Sequence, residues 1–140
     1  MRVAIAILWI CCSLQACSSP TRTWAGHTSD EVWTAMIAVA QTPEYQSDNP
    51  RKRWHVFEND VIVDSDSGLI SVRRVLRRSM KLPMQPVQRD DREMIFQISI
   101  KNHEPPTTEF KEISTQLVPV RTLDEAERYF NQVDDLLNMY

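Results

Sequence analysis

The most reactive side chains in this sequence are three thiols, Cys11, Cys12 and Cys17, all within the first 17 of 140 positions. The rest of the chain has no cysteine, so it holds no disulfide, zinc–thiolate site or catalytic thiol of its own. That distribution suits an exported chain, because stray thiols risk mispairing in an oxidising compartment. His27, His55 and His103 stand apart, without the H-x-x-x-H or H-x-x-E-H spacing that puts two imidazoles on one helix face. Asp64-Ser65-Asp66-Ser67-Gly68 begins like a calcium loop, but its glycine comes one position early and no glutamate stands at the twelfth, so it reads as a hairpin turn. No G-x-S-x-G or S-x-x-K motif occurs, Ser79-Met80-Lys81 being one residue short. With only Gly26 and Gly68 there is no phosphate-cradling loop, and Glu104, Glu109 and Glu112 read as solvated carboxylates. The expectation is a non-enzymatic protein with no metal and no cofactor.

The strongest charge feature is Arg73-Arg74, Arg77-Arg78 and Lys81, preceded in the chain by Arg51-Lys52-Arg53. If the two groups lie on partner strands of one hairpin, they form a basic patch for an anionic partner: lipid phosphates, an acidic glycan or an acidic protein surface. Each cation near an anionic membrane is worth about 1 kcal/mol. The alternative is a solvated strand face paired with Asp90, Asp91, Glu109 and Glu112, where each exposed pair contributes only about 0–1 kcal/mol. A formal net charge of −3 gives no support to nucleic acid as partner.

The N-terminus carries one charge at Arg2 and an apolar run from Val3 to Ile10, extended weakly to Leu14. This is about half of the roughly 20 residues that span a bilayer, so it reads as a signal peptide, outside the fold. It ends in Leu14-Gln15-Ala16-Cys17, which resembles the lipobox of bacterial prolipoproteins: Leu three residues before the cysteine and a small residue just before it. Gln15 departs from that pattern, where a small or hydroxylated residue is usual. The resemblance covers only the targeting segment. It implies that Cys17 becomes the lipidated first mature residue, and that Ser18, with no Asp retention signal, permits transfer to an outer membrane in a cell with two membranes. Ordinary secretory cleavage after Ala16 is the alternative, though Leu14 stands where that site wants a small side chain.

These residues need positioning. Residues 17–27 read as the lipidated cysteine and a short polar tether, with Trp24 either at the membrane interface or stapled to the first helix. Thr28-Ser29-Asp30-Glu31 is a capping box, and Val32, Trp33, Met36, Ile37, Val39 and Ala40 recur at helical spacing until Thr42-Pro43, predicting a helix over 29–41. Residues 53–63 and 69–79 read as a hairpin around the Asp64–Gly68 turn, and residues 81–92 as a loop. Met94, Phe96, Ile98 and Ile100 then alternate on one face of a third strand, and residues 107–120 form a fourth after Pro105-Pro106. Thr122-Leu123-Asp124-Glu125 is a second capping box. It opens a helix over 123–138 whose stripe runs through Ala126, Phe130, Val133 and Leu137, with Glu125, Glu127, Arg128, Asp134 and Asp135 largely opposite.

The order αββββα predicts an α+β two-layer sandwich: a four-stranded antiparallel sheet with both helices on one face, forming a single domain over 28–140 after a signal peptide over 1–16. Small envelope-assembly lipoproteins look broadly like this, but architecture does not fix function. The expected role is a membrane-anchored binding or assembly module of the cell envelope. A small-ligand module with a groove between helices and sheet, with Trp33 and Trp54 as its candidate markers, is the alternative; a filled interface would count against it.

Overall fold

The computed structural model describes residues 19–45, 54–115 and 122–139. Its elements are β1 (Thr21–Thr23), α1 (Ser29–Gln41), β2 (His55–Asp64), β3 (Leu69–Met80), β4 (Gln88–His103), β5 (Pro106–Thr115) and α2 (Thr122–Leu137). The fold is α+β, with a single antiparallel sheet in the order β1-β5-β4-β3-β2.

Helix α1 starts where its sequence dictates. The Thr28 hydroxyl accepts from the Glu31 amide at 3.3 Å, and the Glu31 carboxylate accepts from the Thr28 amide at 2.8 Å. Two of the four orphan amides of the first turn are thereby satisfied, and that hydrogen bonding holds the Glu31 carboxyl below its ordinary pKa. The helix buries Val32, Ala35, Met36, Val39 and Ala40, a stripe at three- and four-residue spacing, and ends before Pro43.

The sheet has five strands, not the expected four, because the segment read as a tether supplies β1. Thr21, Arg22 and Thr23 pair with Glu109, Thr108 and Thr107. Three polar residues are too few to show an alternation, so only the pairing defines this strand. Trp24, next in the chain, is buried: its indole N–H donates to Thr108 at 3.0 Å and its ring meets Phe130 edge-on at 6.0 Å. Of the two expected positions for Trp24, the structure shows the staple, but onto β5 and α2.

Strand β4 begins at Gln88, inside the expected loop over 81–92. Arg89-Asp90-Asp91-Arg92 has no apolar alternation, yet it continues the ladder opposite Ser79, Arg78, Arg77 and Leu76. Cross-strand charge pairs take the place of apolar pairs there. Strand β5 ends at Thr115, and the rest of the expected fourth strand lies outside the described residues, while the second expected helix is present as α2 from Thr122.

Both helices cover one face of the sheet. Phe96 and Phe110 stack at 4.7 Å between ring centres, and Tyr129 of α2 meets Phe96 at 6.3 Å and a steep angle. The Tyr129 hydroxyl donates to the Met36 carbonyl of α1 at 2.5 Å, tying helix to helix. Each such fully buried large side chain stabilises the fold by about 1.5–3 kcal/mol.

Candidate functional site

Strand β3 positions the chemistry. Its side chains alternate across the sheet, so Ile70, Val72, Arg74 and Leu76 enter the core while Arg73, Val75 and Arg77 face the uncovered side. The strand period therefore splits the expected basic patch. Arg73 and Arg77 lie on the outer face, Arg74 is 0% exposed beneath the helices, and Arg78 occupies the next inward position near the rim. Lys81 stands just beyond β3, exposed. Arg51, Lys52, Arg53 and Cys17 lie outside the described residues. Arg74 is thus withdrawn from any surface patch, because two adjacent strand residues cannot share a face.

The outer arginines are met by carboxylates. Arg73 donates from Nη1 to Glu58 and to Asp60, each at 3.0 Å, and from Nε to Glu93 at 2.6 Å. Arg77 holds Asp91 in a two-pronged pair at 2.7 Å and 2.7 Å, with its guanidinium 3.3 Å from the centre of the Phe57 ring. Hydrogen bonding to Arg77 pulls the Asp91 carboxyl below its ordinary pKa. Arg78 binds Asp90 at 2.9 Å and stacks over Trp54 at 4.7 Å. Of the four carboxylates expected as partners in the paired arrangement, Asp90 and Asp91 take that role, while Glu109 pairs with Lys101 at 2.7 Å. The outer face is a mosaic in which Arg73 and Arg77 stand among four carboxylates.

The buried arginine organises a second group that sequence reasoning did not assemble. Arg74 donates to Asn59 at 2.9 Å, to the Tyr45 hydroxyl at 3.0 Å, to Glu125 at 3.3 Å and to the Ala40 carbonyl at 3.2 Å. Arg128 closes on the same carboxylate and donates to Tyr45 at 3.2 Å, with its guanidinium 4.1 Å from the Tyr45 ring centre. Tyr45 in turn donates to Glu125 at 3.0 Å. Burial, then the Glu125 charge, pushes the Tyr45 phenol up to about 12. Glu125, expected on the solvent side of α2, is 4% exposed. One carboxylate shared by two guanidiniums and a phenol is a satisfied network, and it ties β3 to both helices and to the chain after α1. Arg74 and Glu125 are sealed from solvent, while Tyr45 and Arg128 are partly exposed at the edge of the network.

The space between helices and sheet is filled by Met36, Phe96, Phe110, Tyr129 and Phe130. Among the described residues, two grooves lie by α1 instead, both lined by its N-terminal end. One, of about 460 Å³, runs between residues 26–30 and the β4–β5 turn at residues 103–106. The other, of about 690 Å³, lies between α1 and the end of α2, floored by Ala35, Ala38, Leu136 and Leu137. Among the described residues, no group of three or more His, Cys, Asp or Glu side chains is placed to hold a metal ion, and no helix is long and apolar enough to cross a membrane.

Comparison with protein-family models, with curated proteins and with solved structures finds no match.

Proposed function

We propose that this chain is a lipid-anchored protein of the cell envelope, held through an acyl group on Cys17, whose domain acts as a binding or assembly module and not as a catalyst. The observation that carries this reading is the closeness of the anchor thiol to the folded sheet. Pro20 already accepts a backbone hydrogen bond from Phe110 at 2.8 Å, and Cys17 is only three residues upstream. A fully extended chain of that length reaches about 11 Å, so an acylated Cys17 would hold the sandwich against the membrane surface. The resemblance of residues 14–17 to a lipobox supports the acyl group. Ser18 supports the outer membrane, periplasmic side, in a two-membrane cell.

The surface offered to a partner is the uncovered sheet face. Its arginines alternate with carboxylates, which fits a protein partner of matching charge pattern better than a uniformly anionic lipid or glycan. Metabolic labelling with a fatty-acid analogue tests the anchor: label on the wild type and none on Cys17→Ser supports it. Equal label on both, or on neither, overturns it and leaves secretion after Ala16 as the account. Affinity capture from detergent-solubilised membranes then tests the face, and Glu58→Lys with Glu93→Lys is expected to release the captured protein.

One observation favours a second reading, a small-ligand module: the groove between α1 and α2 has an apolar floor and a polar rim at His27, Asp30 and Glu31. Under that reading a bound ligand raises the melting temperature. Introducing Ala38→Trp into the groove would abolish the rise.

A further inference from the structure

The connection from β3 to β4 has a composition that a solvated turn does not need. Between Met80 and Gln88 the chain reads Lys81-Leu82-Pro83-Met84-Gln85-Pro86-Val87, and Leu82, Met84 and Val87 are exposed. The Gln85 amide bonds to the Leu82 carbonyl at 3.2 Å, closing a turn with Pro83 second and Met84 third. Met84 has φ +60 and is fully exposed. Glycine occupies that conformation without steric penalty, whereas here a long apolar side chain is held at the apex. Lys81 and Arg89 flank the tip, and neither forms a salt bridge within the described residues; Arg77 and Arg78 behind them are matched by Asp91 and Asp90. The tip is therefore apolar, with a cationic collar.

Its place in the fold matters as much as its composition. Pro20 is level with Phe110, which pairs with Ile98 of β4. From Ile98, β4 continues to Gln88 in the direction from which the chain enters β1, so the tip projects about 33 Å beyond Pro20 on the anchor side of the sheet. The sheet end is stepped: Pro20 stands level with Ile98, β5 ends level with Met94, and β4 runs on to Gln88. A plane inclined to the strands follows these steps from Pro20, where the anchor segment enters, to the tip.

We infer that the β3–β4 tip is a second membrane contact, in which Met84, Leu82 and Val87 enter the interfacial region of an anionic bilayer and Lys81 and Arg89 engage its phosphates. The inference rests on the anchor at Cys17. A lipid anchor alone leaves the domain free to turn about its tether, and a second apolar and cationic contact fixes its orientation on the membrane.

The test uses the full acylated protein reconstituted into phosphatidylcholine–phosphatidylglycerol vesicles, with an environment-sensitive fluorophore at Leu82→Cys or, as control, at Ile62→Cys on the far edge strand. Expected are a blue shift and quenching by brominated lipid at position 82 and neither at position 62. The shift should disappear when Met84→Gly and Val87→Ser are added. The Met84→Gly change relieves the turn, so an unaltered melting temperature separates lost contact from lost fold. Acylated, vesicle-bound protein with a water-exposed probe at position 82 overturns the tip contact and leaves the anchor standing. Absence of acyl label on Cys17 overturns both.

Discussion

Arg74 and Glu125 face each other at 3.3 Å with side-chain exposures of 0% and 5%, an ion pair joining the middle of β3 to the first turns of α2. The two partners are not equivalent. Glu125 also holds Arg128, whereas Arg74 has no other carboxylate among its described partners. Removing the carboxylate leaves a buried cation uncompensated, so Glu125→Ala is expected to cost about 3–5 kcal/mol. Arg74→Met should cost less, because Glu125 keeps Arg128. The pair Arg74→Met with Glu125→Leu should recover at least about 1 kcal/mol of the Glu125→Ala loss, as apolar replacements of buried pairs commonly do. Urea unfolding measures all three and the Glu125→Leu single; strict additivity of Arg74→Met and Glu125→Leu would show that the residues are not coupled.

Neighbours on one strand should differ sharply. Arg73 has three carboxylate partners and Arg74 one, yet the Arg73 side chain is 42% exposed and that of Arg74 0%. Solvent screens them, so Arg73→Gln is expected to cost about 1 kcal/mol or less and to be sensitive to salt. Arg74→Gln leaves a shorter polar group inside the core and Glu125 without one of its partners, and should cost about 3 kcal/mol, nearly independent of salt. Equal costs for the two would mean that the strand does not divide them as described.

Trp24 turns the entry segment into part of the domain. Its ring is 3% exposed, hydrogen-bonded to Thr108 and packed on Phe130, while Arg22 reaches the same ring at 5.7 Å and pairs with Asp134 of α2. Trp24→Ala is expected to lower stability by about 3–5 kcal/mol. Thermal unfolding of the purified variant checks it, and a loss below about 1 kcal/mol would return this segment to the role of a loose linker.

Much of the fold was legible in the sequence because the signals were local. The Thr28–Glu31 box placed the start of α1, and the alternation of Met94, Phe96, Ile98 and Ile100 placed the middle of β4. What stayed hidden depended on partners far along the chain. Thr21–Thr23 carries no pattern of its own and becomes a strand only against β5. The Arg89–Arg92 run looks like a loop until Arg77 and Arg78 stand opposite it. The buried network left one trace: Arg74 falls in phase with Ile70, Val72 and Leu76, so strand periodicity alone sends it inward. An arginine at an apolar phase requires a buried acid, but only the folded chain shows that the acid is Glu125, from a helix whose periodicity placed that residue on the solvent side.

Tyr45 makes the network sensitive to alkaline pH. Burial and the Glu125 carboxylate raise its phenol to about 12 in the folded chain, against 10.0 for an unperturbed tyrosine. The folded state therefore holds this proton more tightly than the unfolded state. Below pH 10 both states are protonated and the contribution of Tyr45 is complete; as pH rises from 10 towards 12 the unfolded chain releases the proton first and stability falls. The loss is on the order of 3 kcal/mol by pH 12. Tyr129 adds to it in the same direction, since burial raises its phenol as well. Replacing Tyr45 by Phe removes one of the two sources, so the cost of Tyr45→Phe should be constant below pH 10 and shrink above it. Chemical denaturation of both proteins across that range measures the difference, and a cost that stays constant to pH 12 would show that Tyr45 does not titrate against Glu125 and burial in the way the geometry requires.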